Sequence, residues 1–317
     1  MKTVFIINPR AGQGKKAKYL TGKIKSLKDL DVEIYITKFP CDATSFVRDF
    51  CKNNGPARFI ACGGDGTLNE VLNGIADFDN AEVGVIPVGS GNDFCRNFED
   101  STIVDDIASY VYGKSTTCDA IRFKTFIADK IQTGYCANMF NIGFDCNVAD
   151  LKNQMQKKPF VSGSLSYLIS VFVTLIKKKG ANLKIEIDGE EIHCGKLLLT
   201  SIANGCYCGG GIMSNPLASV KDGLININVI KNVSRLKFIH LFPYYVKGNY
   251  LKIKNIHKII LTEKCTKVKI TPLDGKMRLC IDGEIIDAGT TEFEICHNAF
   301  NFVLPQKQVR NKPHELV

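Results

Sequence analysis

The sequence has no apolar run of the roughly 18–20 residues that a membrane-spanning helix needs. The longest candidate, Leu165 to Ile176, is twelve residues long and carries Ser166, Ser170 and Thr174. A secretion signal is not expected either: the apolar run Val4–Ile7 is too short, and Asn8-Pro9 interrupts it. No Walker A pattern, G-x-x-x-x-G-K-[ST], occurs anywhere. The thirteen cysteines are an odd number in a long chain, which argues against a disulfide framework and for a reducing, cytoplasmic setting. Cys206 and Cys208 are the nearest pair, with no second pair nearby at zinc-ligand spacing, so small buried thiols are the better reading. No recognised motif accompanies the basic residues, so nucleic acid is not an expected partner. What remains is ordinary globular composition: 45% apolar, 23% charged, net charge +9 over 317 residues. Those values exclude disorder, collagen and low complexity, and the length suggests two domains. The mild positive charge permits an anionic membrane surface or a phosphorylated ligand.

The first third reads as alternating strand and helix. Strands are expected at Thr3–Ile7, Val32–Ile36, Arg58–Cys62 and Glu82–Ile86. Helical spacing of apolar residues marks Lys15–Leu27, Ala43–Cys51, Leu68–Ile75 and Asp105–Tyr112. This is the pattern of a parallel sheet covered by helices. From about Cys118 the texture changes to long β-rich runs: Ala120–Ala128, Gln132–Ile142, Leu183–Ile187, Gly195–Ala203, Leu224–Val229, Lys267–Pro272 and Met277–Ile281. Asp-Gly pairs at 188–189, 222–223, 274–275 and 282–283 are turn signals. Helices are expected at Gly163–Lys177 and Arg235–Tyr245, and Phe300–Leu304 is expected to return to the first domain. The expected domains are therefore residues 1–118 with a return over 300–317, and residues 119–299.

Four glycine-containing segments are candidate phosphate loops. Asn8-Pro9-Arg10-Ala11-Gly12 follows a strand and leads into a helix, so its N–H groups can face an anion. Gly12 to Ala17 matches the loose G-x-G-x-x-A dinucleotide pattern, but Gly12 falls several residues after the strand rather than in the turn. Gly63-Gly64-Asp65-Gly66 has three glycines in four positions, which implies positive φ or close ligand approach. Asp65 there can hold a metal or reach a ligand hydroxyl. Thr67 and Glu70 have capping-box spacing for the helix that follows. Pro87 to Phe94 also follows a strand and offers Ser90, Asn92 and Asp93, with helix capping by Asp93 as the plainer alternative. Gly209-Gly210-Gly211 lies in the β-rich part and reads as a flexible rim or a close backbone approach.

Three of these segments occur in one order: N-P-x-x-G at Asn8–Gly12, G-G-D-G-T-x-N-E-V-x-N-G at Gly63–Gly74, and P-x-G-S-x-N-D-F at Pro87–Phe94. Further on come Asn141-Ile-Gly143-Phe-Asp145, Pro216 to Leu224 with its Asp222-Gly223, and Ile281-Asp282-Gly283-Glu284. The set resembles the diacylglycerol kinase catalytic-domain family, which includes sphingosine kinases and soluble bacterial lipid kinases. The resemblance implies a Rossmann-like parallel α/β nucleotide domain and a second, antiparallel β-rich, sandwich-like domain. It implies phosphoryl transfer from ATP to a lipid hydroxyl, diacylglycerol by default. Sphingoid bases, phosphatidylglycerol and polyprenols stay open as substrates. By motif match Asn8, Pro9, Arg10, Ala11, Gly12, Thr37, Gly63, Gly64, Asp65, Gly66, Thr67, Leu68, Asn69 and Ser90 would contact ATP. Magnesium would be held by the Asp222 side chain and the carbonyls of Ser219 and Leu224. Glu284 would be the general base, with Asp65 and Asp93 as acidic residues of the catalytic centre. Departures are Ser90, where many members have threonine, and the adjacent Gly91.

Ile187-Asp188-Gly189-Glu190 repeats the later tetrapeptide, and the residues alone do not choose between the two glutamates. The family pattern places the base at the later one. A lipid kinase implies peripheral contact with a membrane surface, and two segments offer it. One is Leu165–Ile176 followed by Lys177-Lys178-Lys179; the other is the basic-aromatic stretch from Tyr244 to Lys254. Core packing or a solvated face explains each equally plainly. A homodimer stays open. The competing readings are a kinase of soluble substrates, since G-G-D-G also occurs in NAD kinases and phosphofructokinases, and a catalytically silent nucleotide- or lipid-binding protein.

Overall fold

The computed structural model describes residues 1–27, 30–99, 106–127, 130–144 and 180–306. The chain begins with β1 (Thr3–Ile7), α1 (Lys15–Lys25), β2 (Val32–Ile36), α2 (Asp42–Asn54), β3 (Arg58–Gly63), α3 (Asp65–Ile75), β4 (Glu82–Pro87) and a short α4 (Ala108–Val111). Strands β1 to β4 are parallel, in the order β4-β3-β1-β2. All five residues of β1 are buried, as a parallel strand covered on both faces requires. Its alternate side chains feed two cores: Val4 and Ile6 pack with α2 and α3, and Phe5 and Ile7 with Leu20 and Ile24 of α1.

The rest is mostly antiparallel: β5 (Lys114–Ile127), β6 (Lys130–Cys136), β7 (Met139–Gly143), β8 (Ala181–Ile187), β9 (Glu190–Ala203), β10 (Ile225–Lys231), α5 (Arg235–Val246), β11 (Ile260–Cys265), β12 (Lys267–Pro272), β13 (Met277–Ile281), β14 (Glu284–Ala288) and β15 (Thr291–Leu304). Its own core includes the ring cluster Phe123–Phe140–Phe293. Strand β15 joins the two halves. Its first residues pair antiparallel with β12, and Asn301–Val303 pair parallel with Glu82–Gly84 of β4. The order is β14-β13-β7-β9-β8-β12-β15-β4-β3-β1-β2, and β14 at the far end also lies against β5. The sheet thus folds back on itself, a Rossmann-like half continuing into a sandwich-like half.

Four local expectations need correction. The run Gln132–Ile142 is two strands, because Ala137-Asn138 turns between β6 and β7. β15 is fourteen residues long rather than a five-residue return, its charged outer positions masking the strand period. β11 and β14 went unanticipated, because Glu263-Lys264 and Glu284 with Asp287 put charge on both faces and break the strand alternation. Finally, α3 begins at Asp65, so Thr67 does not cap it. The helix expected over Gly163–Lys177, its lysines 177–179, Asp145 and residues 307–317 lie outside the described residues.

Candidate active site

The three N-terminal loops stand at the C-terminal ends of β1, β3 and β4, which are neighbours in the sheet. Thr37 stands at the end of β2 beside them, its N–H donating to the Ile7 carbonyl at 2.9 Å. A crevice at the carboxyl ends of parallel strands is where open α/β sheets bind ligands. Asn8 locks the first loop: its Oδ1 accepts the Arg10 N–H at 2.9 Å, and its Nδ2 donates to Thr67 Oγ1 at 3.3 Å. Gly64 and Gly89 bring the second and third loops into contact, since a Cβ on Gly89 would overlap the Gly64 Cα. Asn92 shapes the third loop by accepting the Gly89 N–H at 3.1 Å and donating to the Gly89 carbonyl at 3.0 Å.

Asp65 is the first residue of α3, and its Oδ1 accepts the Phe94 N–H at 3.1 Å. Asp93 comes close to it: a Cβ on Gly91 would stand 2.9 Å from Asp65 Oδ2 and 3.1 Å from Asp93 Oδ2. Burial first, and then the charge of Asp93, pushes the Asp65 carboxyl upward. Asp93 does not cap the turn that follows it. Its carboxylate accepts the N–H groups of Gly210, at 3.0 and 2.9 Å, and of Gly211, at 2.8 Å. The triple glycine is thus a close backbone approach that ties the β-rich half to the third loop. Ser90 is exposed beside Gly210.

Glu284 opens β14 at the end of the Asp282-Gly283 turn. It reaches across to the start of α3, where a Cβ on Gly66 would stand 3.2 Å from its Oε1. The residue is exposed on one side, yet its carboxyl is pushed upward by burial and then by the charge of Glu70. The structure therefore gathers Asn8, Gly64, Asp65, Gly66, Asn92, Asp93 and Glu284 around the N-terminus of α3. Leu68 is buried in the core, so only its backbone can face a ligand. Asn69 accepts from Asn73 Nδ2 through its carbonyl at 2.8 Å and its Oδ1 at 3.2 Å.

Ser219, Asp222 and Leu224 lie in the loop that leads into β10. Asp222 accepts the Leu224 N–H at 3.2 Å and pairs with Lys264 Nζ at 2.7 Å. A carboxylate and two carbonyls form an all-oxygen set, the donor type magnesium takes. The Lys264 ammonium shows that this oxygen attracts a cation, and a metal there has to displace it. Among the described residues no group of three or more His, Cys, Asp or Glu side chains is arranged to hold a metal.

Three residues of the site region have roles that the sequence did not indicate. Glu70 does not close a capping box; its carboxylate accepts the N–H groups of Cys41 at 3.0 Å and Ala43 at 3.1 Å, capping α2 instead. Asn73 clasps the two halves, accepting the Tyr135 N–H at 2.8 Å and donating to its carbonyl at 2.9 Å. Asp282, read as a turn residue and as part of the Asp-Gly-Glu motif but given no role of its own, accepts the Met139 N–H at 2.9 Å and the Cys136 thiol at 3.1 Å. Burial pushes its carboxyl up to about 7, with Asp65 adding to the shift. The repeated Ile-Asp-Gly-Glu was the one available signal for Asp282.

The comparisons agree with the motif order. Residues 2–123 match the model of the diacylglycerol kinase catalytic domain. Residues 138–304 match the YegS C-terminal NAD kinase beta sandwich-like domain. A diacylglycerol kinase of Mycobacterium tuberculosis is 28% identical over 258 residues, covering 80% of this chain and 81% of that protein. A diacylglycerol kinase of Bacillus subtilis is 26% identical over 310 residues, 96% of each. A crystal structure of a diacylglycerol kinase from Bacillus anthracis superposes with a TM-score of 0.68 at 21% identity, over 96% of this chain and 97% of that one, a likeness of fold.

Proposed function

The chain belongs to the family of lipid kinases that joins a diacylglycerol kinase catalytic domain to a YegS-type beta sandwich-like domain, and from this premise we propose that it transfers the γ-phosphoryl group of ATP to the hydroxyl of diacylglycerol at a membrane surface. One observation carries the assignment of the base: the Glu284 carboxyl, set on the second half, stands at the start of α3, among the loops of the first half.

The first turn of α3 offers backbone N–H groups without intrahelical partners, and the helix dipole favours negative charge there. Asn8 through Gly12, Gly63 through Asn69, Thr37 and Ser90 are the groups we assign to the nucleotide. Glu284 takes the proton of the attacking hydroxyl as its oxygen bonds to phosphorus and the bond to the bridging oxygen breaks. Its raised pKa brings it nearer neutral pH, where a general base works best. Asp65 orients the Phe94 backbone, and Asp93 holds the Gly210–Gly211 loop, so the two halves meet in one geometry. Asp222 with the carbonyls of Ser219 and Leu224 would hold magnesium, whose charge would brace the loop leading into β10. Phosphoryl transfer relies on positioning and electrostatics more than on covalent chemistry, and this site is built from fixed loops.

The test is ATP turnover with magnesium against diacylglycerol, a sphingoid base, phosphatidylglycerol and a polyprenol in mixed micelles, with NAD and fructose 6-phosphate as soluble controls. Diacylglycerol is expected to be the preferred acceptor. Preference for another lipid alcohol changes the substrate and keeps the reaction. Phosphorylation of NAD or fructose 6-phosphate in place of every lipid sinks the proposal.

A further inference from the structure

Between Asp222 and Glu263 the chain holds no aspartate or glutamate, while Lys231, Arg235, Lys237, Lys247, Lys252, Lys254 and Lys258 fall inside that interval. These seven positive charges are most of the net +9 of the whole chain. All seven residues are exposed. Among the described residues, none of the six lysines takes part in an ion pair.

Within the interval, α5 and the turns after it pack over β9 and β10. Helix α5 is capped by Ser234, whose side chain accepts the Lys237 N–H at 3.3 Å. Its inner side places Phe238, Leu241, Phe242 and Tyr245 on an apolar cavity against β9 and β10. Apolar residues also stand on the outside: Leu236 is 82% exposed, Ile239 49% and Tyr244 43%. Leu236, Ile239 and Pro243 follow the i, i+3, i+7 spacing of a single stripe. An apolar stripe among unopposed lysines describes an element that lies in a lipid interface rather than crossing it, and no helix among the described residues is long and apolar enough to cross.

We propose that the outer face of α5, with the lysines that flank it, is the surface by which this protein docks on an anionic lipid bilayer. Charge complementarity selects the partner, and the exposed leucine and isoleucine set it apart from a nucleic acid, which gains nothing from burying them. A second copy of this face is excluded as the occupant, because like charges would oppose one another. The lipid-kinase reading adds only the reason for the enzyme to be at a bilayer.

The experiment is co-sedimentation of the full chain with phosphatidylcholine vesicles, with and without phosphatidylglycerol, at physiological salt. Turnover of a water-soluble short-chain diacylglycerol and thermal melting are measured alongside. Wild type is expected to sediment only with the anionic vesicles. Reversing Lys237, Lys247, Lys252 and Lys254 to glutamate is expected to weaken that binding by at least about a hundredfold, with melting and short-chain turnover within about twofold. Reversing four exposed lysines elsewhere, Lys52, Lys114, Lys130 and Lys196, is expected to leave most of it. The milder pair Leu236→Ser and Ile239→Ser, which keeps every charge, is expected to weaken binding about tenfold. Equal loss in the two lysine sets, or full binding by the first set, overturns the proposal. So does a wild-type protein that ignores vesicles and binds a duplex oligonucleotide or an acidic polypeptide instead. Binding that follows the α5 lysines in a protein that phosphorylates no lipid alcohol leaves the docking surface standing and removes the substrate reading.

Discussion

Two hairpins of this protein carry the same four residues and meet opposite surroundings. Both turns are Asp-Gly with positive φ, 45° and 93° at Asp188-Gly189 and 45° and 97° at Asp282-Gly283. Both pair isoleucine with glutamate across the strand ends, Ile187 with Glu190 and Ile281 with Glu284. Local sequence has done the same thing twice, since Asp-Gly is favoured where both turn residues need φ > 0. The neighbours differ. Asp188 accepts the Thr266 hydroxyl at 2.8 Å and the Lys267 N–H at 2.8 Å, and these bonds hold its carboxyl below the ordinary range despite partial burial. Asp282 is desolvated beside Met139 and Cys136, toward Asp65, and its carboxyl is pushed up to about 7. Glu190 is exposed, while Glu284 stands at Gly66. A turn motif therefore sets backbone shape, and the packing of its tip decides whether it carries chemistry.

The largest expected contrast is between the glutamates. Glu284→Gln is expected to lower kcat on the lipid substrate by roughly 10²–10⁴-fold, and Glu190→Gln to leave it within about twofold. Equal rates for the two variants would remove the base assignment, and loss in Glu190→Gln alone would transfer it. In the wild type, the acid limb of the kcat/KM profile is expected above the ordinary glutamate value of about 4.3, because the Glu284 carboxyl is raised. A limb at or below that value contradicts the desolvation.

The aspartates should show stability effects of opposite sign. The raised Asp282 carboxyl favours the folded state below its unfolded value near 3.8, and that contribution is lost as pH rises through about 7. Stability should therefore fall over this window by on the order of 2–4 kcal/mol, read as a falling melting temperature, and the fall should flatten in Asp282→Asn. Asp188 is lowered, so its contribution is present above 3.8 and lost as pH falls through its folded value. It is solvent-screened, and Asp188→Asn should cost under about 1 kcal/mol near neutral pH, a cost that disappears in acid. Parallel melting profiles for the two variants would mean that the tips do not differ as described.

The smallest effect concerns Gly66, which faces Glu284 at the start of α3. Gly66→Ala places a methyl 3.2 Å from Glu284 Oε1, inside the helix where alanine is favoured. Thermal stability is expected to hold or rise by about 0.5 kcal/mol, while turnover falls about tenfold. A fall in stability with turnover unchanged would show that the two groups do not meet.

Much of the first half was legible because its strands are short, apolar and bounded by turns. Thr3–Ile7 and Val32–Ile36 appear where their β-branched runs placed them. The phosphate-loop candidates lie at strand ends for the same reason. The second half was less legible. Strands such as β15 expose alternate charged residues, Glu292 and Glu294 among them, and read as loops when partners are unknown. At the site, Thr67 and Glu70 have capping-box spacing, yet α3 starts at Asp65, three residues before the expected Leu68, and Glu70 serves α2. Spacing identifies a residue able to cap; it does not say which free N–H groups will be nearest.

The sequence by itself determined the alternating strands and helices of the first half, the glycine loops at their ends, the Asp-Gly turns and the family those motifs mark. Each rests on backbone preference or on side-chain period, which act over a few residues. Only the tertiary structure decided which of two equal hairpins reaches α3, that Asp93 would grip the Gly210 loop, and that Asn73 would clasp the two halves. Those contacts join residues 62 to 218 positions apart. They exist because the sheet, carried through β15, bends its far end back to its beginning, a closure that no local preference encodes.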